Sequence, residues 1–140
     1  MKLFAKLGLI AAGLTLSAVA MADPVGTWRT IDDKTGQPKS LVRISVEGGK
    51  YVGRIQKLLN SSSNVCTTCE GKYENKDLSG VAVIWGVTSE GGNKYGGGTI
   101  QDPKTGSTYS VSLTDNGSTM VVRGYKGVSM LGRNQTWYRQ

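Results

Sequence analysis

STYSVSLTDNGSTMVVRGY, residues 107–125, is the stretch on which the reading of the fold turns. Tyr109, Val111 and Leu113 fall on one side of an extended chain. Thr108, Ser110 and Ser112 fall on the other, which is the two-residue period of a half-buried strand. Asp115-Asn116-Gly117 follows, and Asn and Gly accept the positive φ angles that a tight hairpin needs. STMVVRGY then runs back as the partner strand.

The same grammar extends outward in both directions. GTWRTID (26–32) is followed by the turn-rich Asp33-Lys34-Thr35-Gly36. KSLVRISV (39–46) places Val42, Ile44 and Val46 on one face, and Glu47-Gly48-Gly49 reverses the chain into KYVGRIQKLL (50–59). GVAVIWGV (80–87) is apolar on both faces, as a deeply buried strand or one covered by another element would be. KYGGGTIQD (94–102) leads into the Pro103-Lys104-Thr105-Gly106 turn, and RNQTWYR (133–139) is the last strand signal. About eight short strands in sequential order form a meander. Such a meander leaves two open edges unless its first strand meets its last. The expectation is therefore an all-β chain closed into a small antiparallel up-and-down β-barrel, with an open sandwich as the alternative. Gly96-Gly97-Gly98 suits a strand bent too sharply for side chains.

The N-terminus reads differently. Lys2 and Lys6 precede an apolar run from Leu7 to Val19, and Ala20-Met21-Ala22 has the small-x-small form of a signal-peptidase site. Residues 1–22 are expected to be a signal peptide removed before Asp23, leaving 23–140 as a single domain. The run is shorter than the roughly twenty apolar residues of a membrane span, so no span is expected after cleavage. The location predicted is periplasmic or secreted. The formal charge is +7, from 17 Lys and Arg against 10 Asp and Glu. These charges are scattered singly and aromatic residues are few, so nucleic acid is not expected as a partner. Attraction to acidic envelope surfaces, or solubility alone, accounts for them.

Cys66 and Cys69 are the two cysteines, in VCTTCEG. With no histidine and no third cysteine, the four ligands of a zinc site are not assembled, and no metal or cofactor is expected. A thioredoxin-like dithiol needs a helix N-terminus in a βαβ setting. VCTTCEG lies instead in a polar insert beside Glu70, and export places it where thiols oxidise. Cys66–Cys69 is expected to be a local structural disulfide contributing about 2 kcal/mol at most.

Several motifs in order resemble a family of small exported bacterial proteins, the DUF2147 family. They are Gly26, Trp28 and Arg29; Cys66, Cys69 and Gly71; Gly97, Gly98, Ile100, Asp102, Pro103, Gly106 and Tyr109. A last block holds Arg123, Gly124, Tyr125, Gly127, Gly132, Arg133, Gln135, Thr136 and Trp137. The chain departs from the family pattern at Asp77-Leu78, where only a local loop effect is expected. The resemblance implies a lipocalin-like barrel and no assigned activity. Lipocalins also open with G-x-W and pack a late arginine on that tryptophan. Trp28 with Arg133 or Arg139 resembles this arrangement, and Trp28, Arg133 and Trp137 are its expected structural signature.

Without histidine a Ser–His triad is excluded, and no nucleophile elbow, phosphate loop or metal motif is present. No catalytic residue is assigned and no enzymatic activity is expected. An eight-stranded barrel can be filled by its own side chains or hold one small ligand. The binding reading takes Tyr51, Ile55, Trp85, Val111 and Leu113 as an apolar lining. Arg54 or Arg123 would meet an anionic head group, and Arg54, Trp85, Arg123 and Tyr125 are the candidate ligand-binding residues. The competing reading makes these residues core or surface and the barrel a solid adaptor or inhibitor for an envelope protein. The loop Gly127-Val128-Ser129-Met130-Leu131-Gly132 is expected to plug the barrel end or offer a contact patch.

Overall fold

The computed structural model describes residues 23–127 and 132–140. The leader, and residues 128–131 of the apolar loop, lie outside the described residues. The strands are β1 (Gly26–Ile31), β2 (Pro38–Glu47), β3 (Lys50–Leu58), β4 (Val65–Cys66) and β5 (Lys76–Asp77). They continue with β6 (Ala82–Gly91), β7 (Lys94–Gln101), β8 (Thr108–Asp115), β9 (Thr119–Tyr125) and β10 (Arg133–Arg139).

Eight of these strands form a closed antiparallel barrel in the order β1-β10-β9-β8-β7-β6-β3-β2. The edge problem is solved as expected: β1 pairs with β10 through Trp28↔Arg139 and Arg29↔Tyr138. The Gln140 amide donates to the Thr27 carbonyl at 2.9 Å. Every barrel strand was legible in the sequence. The short ribbon β4-β5, within the insert between β3 and β6, was not, because two-residue strands carry no periodicity.

Alternation decides what faces inward. Trp28, Ile44, Val87, Val111, Leu113 and Met120 are each at most 1% exposed and fill the half of the barrel that holds the start of β1. Burying each side chain of this kind is worth about 1.5–3 kcal/mol. β8 and β9 keep the register their sequences suggest, with Leu113 opposite Val122 and Asp115 opposite Met120. β6 is the irregular strand. Its register with β3 slips twice, and Gly86 adopts φ +74°. The slips place both Val83 and Ile84 out of solvent, which explains a run apolar on both faces. Farther along β6, a Cβ on Gly98 of β7 would stand 2.5 Å from Val87 Cγ2 and 2.8 Å from Val87 N. Only glycine lets β7 approach β6 this closely.

The barrel has two unlike ends. One gathers the short turns β2–β3, β6–β7 and β8–β9 with Asp23–Val25. The other gathers the β1–β2 and β7–β8 turns, the end of β9, the start of β10 and the long β3–β6 insert. That insert is folded, not loose. Asn64 Oδ1 accepts the Leu58 amide at 2.9 Å, and Asn64 Nδ2 donates to Ser79 Oγ at 2.8 Å. Leu78, Cys66 and Cys69 join the hydrophobic core. The Glu70 amide reaches the Lys104 carbonyl of the β7–β8 turn at 2.8 Å, and Tyr73 Oη donates to Gln101 Oε1 at 3.1 Å.

Candidate functional site at the open end of the barrel

The closed end is locked by one side chain. The Arg139 guanidinium lies over the Trp28 ring, 4.3 Å from its centroid. Its Nε donates to the Gly117 carbonyl at 2.7 Å, and its two terminal nitrogens donate to Val25 O at 3.0 Å and Asp23 O at 2.9 Å. It also pairs with the buried Asp115 carboxylate at 3.5 Å. Trp28 Nε1 donates to Pro24 O at 2.8 Å. This joins the N-terminal arm, the β8–β9 turn and the last strand. The sequence offered Arg133 or Arg139 for the role, and register selects Arg139, which lies opposite Trp28. Arg133 belongs to the other end of the same strand. Its side chain is 77% exposed and pairs with Asp33 at 2.8 Å, so its place in the signature with Trp28 is corrected.

At the open end a cavity of about 560 Å³ remains. That size lies within the usual range for small-molecule sites, roughly 300–1,000 Å³. Its floor is formed by Val42, Ile55, Val122 and Trp137, all buried; the end of β3 adds Leu58, and the insert contributes Leu78 and the cystine. Cys66 and Cys69 are disulfide-bonded as expected, with Cα atoms 5.5 Å apart. The cystine therefore pins the insert and also forms part of the cavity wall.

The walls differ in chemistry. Across β3, β6 and β7 the lining is Ile55, Val83 and Ile100, apolar except for Gln101 at the end of β7. Across the neighbouring strands β10, β1 and β2 it is Gln135, Thr30 and Ser40. Thr30 and Ser40 are buried and their hydroxyls share a hydrogen bond of 2.7 Å. Gln135 accepts from Trp137 Nε1 at 3.0 Å and donates to Asp33 at 3.0 Å. The rim carries the exposed cations Lys39, Lys104, Lys126 and Arg133. Lys126 Nζ sits 4.9 Å from the Tyr109 ring centroid. The Asp32 carboxylate stands nearby. Hydrogen bonds from the Lys34 and Thr35 amides, with weaker help from Lys39 and Lys104, hold its pKa below the ordinary range.

Of the four residues proposed for ligand contact, Tyr125 lies in the cavity lining and the other three do not. Arg54 stands between the inward Gly53 and Ile55, so parity turns it outward. It forms a two-pronged pair with Glu47 at 2.9 Å and donates to Gly80 O at 2.9 Å. That pairing also lowers the pKa of Glu47. Arg123 stands between Val122 and Gly124 and donates to Asn134 Oδ1 at 3.1 Å. Trp85 is 36% exposed on the outer surface, because the slips in β6 rotate it away from the interior. Of the expected apolar lining, Ile55 is in the cavity wall. Tyr51, Val111 and Leu113 belong to the packed core, where Tyr51 meets Tyr95 edge to face at 5.2 Å. Sequence reasoning missed Thr30, Ser40 and Gln135, although alternation from Trp28, Val42 and Trp137 points all three inward.

Comparison with solved structures places this architecture. A protein of the human pathogen Helicobacter pylori, HP1028, described as belonging to the lipocalin family, superposes with a TM-score of 0.72 at 20% sequence identity. The match covers 86% of this chain and 84% of that one. The likeness is one of fold. No curated protein matches the chain significantly. The family model described as "Uncharacterized protein conserved in bacteria (DUF2147)" matches residues 26–139, nearly the whole barrel from β1 to β10. The chain belongs to the DUF2147 family and has the closed eight-stranded barrel of a lipocalin-like protein.

Proposed function

We propose that the protein is exported, loses residues 1–22, and binds one small lipophilic or amphipathic molecule in the open end of its barrel without transforming it. One observation carries the binding reading. A cavity of about 560 Å³ remains at the open end, with an apolar floor of Val42, Ile55, Val122 and Trp137 and a polar rim. An apolar floor without an occupant wets poorly, so an oily group of matching size gains by entering. The export reading rests on the leader sequence and on a cystine suited to an oxidising compartment. The Arg139 lock uses Asp23 and Val25, which remain after the proposed cleavage.

The test is native mass spectrometry with lipid extraction on protein freshly isolated from the cell envelope. A defined co-purifying molecule that a competitor displaces is the expected result. Protein that carries none, and that takes up no amphiphile when challenged, would leave the barrel as an envelope interaction module. N-terminal sequencing of the same sample should begin at Asp23, and a retained leader would defeat the export reading.

A further inference from the structure

We infer that the occupant is a single-chain amphiphile with an anionic head, oriented by the rim lysines. The inference rests on the binding reading above and adds the chemistry and the direction of entry. Salt bridges among the described residues engage Arg54, Arg133 and Arg139, and none engages Lys39, Lys104 or Lys126. These three lysines all lie on the cavity's lining. They come from three separate segments: the start of β2, the β7–β8 turn and the residue just after β9. Lys39 and Lys104 both act electrostatically on the Asp32 carboxyl, so their fields converge on one region of the rim.

The acids near them are hydrogen-bonded, and Asp33 alone is ion-paired. Asp32 accepts from the Lys34 and Thr35 amides, and Asp102 from the Lys104 amide. Asp33 is held by Arg133 and Gln135. With Asp33 and Arg133 paired, the rim sets Lys39, Lys104 and Lys126 against Asp32 and Asp102, a formal excess of one positive charge, while the floor offers only apolar contact. Below the rim, Thr30, Ser40 and Gln135 offer hydrogen bonds along the β10–β1–β2 wall, and Ile55, Val83 and Ile100 face them. A carboxylate or phosphate monoester at the rim with its chain on the floor satisfies both halves. A neutral lipid satisfies only one, and a cationic one is repelled. At about 6 Å in water-like surroundings, each lysine changes the affinity of a unit anion roughly threefold, or about 30-fold for all three.

The experiment titrates delipidated protein by calorimetry, below micelle concentrations, with dodecanoate, dodecyl phosphate, dodecanol, dodecyltrimethylammonium and inorganic phosphate. Dodecanoate and dodecyl phosphate should bind at least tenfold tighter than dodecanol, and dodecyltrimethylammonium most weakly. The K39Q/K104Q/K126Q variant should lose about 30-fold toward the anions and nothing toward dodecanol. Asp32→Asn should tighten the anions two- to threefold by removing the competing carboxylate. Equal binding of dodecanoate and dodecanol, unchanged in the triple variant, would overturn the anionic inference and leave the cavity reading standing. Inorganic phosphate binding as tightly as dodecyl phosphate would also overturn it, since the chain would then contribute nothing. If no probe binds, dodecanol included, both readings fall together.

Discussion

Replacing Arg139 by Ala tests the closed end of the barrel most directly, with Arg133→Ala as its control. Arg139 donates to three backbone carbonyls, covers Trp28 and sits by an Asp115 side chain with no solvent exposure. A hydrogen bond from a charged donor contributes about 1.5–3 kcal/mol when fully buried. Arg139 is about one-third exposed, and water can reach the carbonyls it leaves, so about 0.7 kcal/mol each is the fair discount. The ring contact adds about 1 kcal/mol, for a total loss near 3 kcal/mol. In a domain of this size that is roughly 10 °C in Tm. Arg133, by contrast, forms one exposed ion pair, and its loss should cost less than about 1 kcal/mol. Urea denaturation monitored by Trp fluorescence and far-UV dichroism reads both. An Arg139→Ala loss below about 1 kcal/mol, or one no larger than that of Arg133→Ala, would refute the assignment of the lock to Arg139. Lysine at 139 should recover only part of the loss, since a single ammonium cannot reach three carbonyls and stack on a ring.

Gly98→Ala should destabilise by about 3 kcal/mol or more, because its methyl collides with the backbone and side chain of Val87; chemical denaturation measures it, and a neutral outcome would mean β6 and β7 are farther apart than described. Cys66→Ser with Cys69→Ser should cost about 2 kcal/mol or less and leave the barrel intact. Hydrogen exchange should then quicken in residues 60–79 and not in β8 or β9, and global unfolding at room temperature would contradict a local staple. Burial raises the pKa values of Tyr51 and Tyr95 above their ordinary 10.0. The unfolded chain therefore ionises first, and stability is full below pH 10 and falls as pH rises through the folded values. Y51F/Y95F should flatten that alkaline decline in thermal melts. Asp32, Glu47 and Asp77 have lowered values, so their contribution is present above their ordinary values of 3.8 and 4.5 and fades as pH drops through the folded ones. Glu47 and Asp77 are exposed and Asp32 is half-buried at the surface, so the acid loss should be shallow and weakened further by salt.

The barrel was legible because its evidence is local and repeated. Tyr109, Val111 and Leu113 declare a strand without reference to anything distant, and Asp115-Asn116-Gly117 declares the turn that follows. Closure of first strand on last followed from the absence of any other cover for two open edges. The site was harder for the opposite reason. Arg54 and Arg123 looked suited to an anionic head group, but each stands between two inward neighbours, so the pleat sends it out. Trp85 was misplaced by slips in β6 that no pattern of residues announces. Lys39, Lys104 and Lys126 lie far apart in sequence and share one cavity rim only because the start of β2, the β7–β8 turn and the end of β9 lie at one end of the barrel. The choice between Arg133 and Arg139 needed the register of β1 against β10, a pairing between residues more than a hundred positions apart.

That pairing sets an order of events during biogenesis. Of the eight barrel strands, the one that seals the sheet is also the last to be synthesised, and the arginine that ties off the N-terminal arm sits at its far end. A partly made chain can zip up its hairpins but must present two raw strand edges until that final ribbon arrives. Sequence separation this large also slows the finishing step relative to the local hairpins. An unfinished copy thus stays an open, curled sheet with its hairpins formed, and it becomes a closed barrel only once its last strand is free to pair.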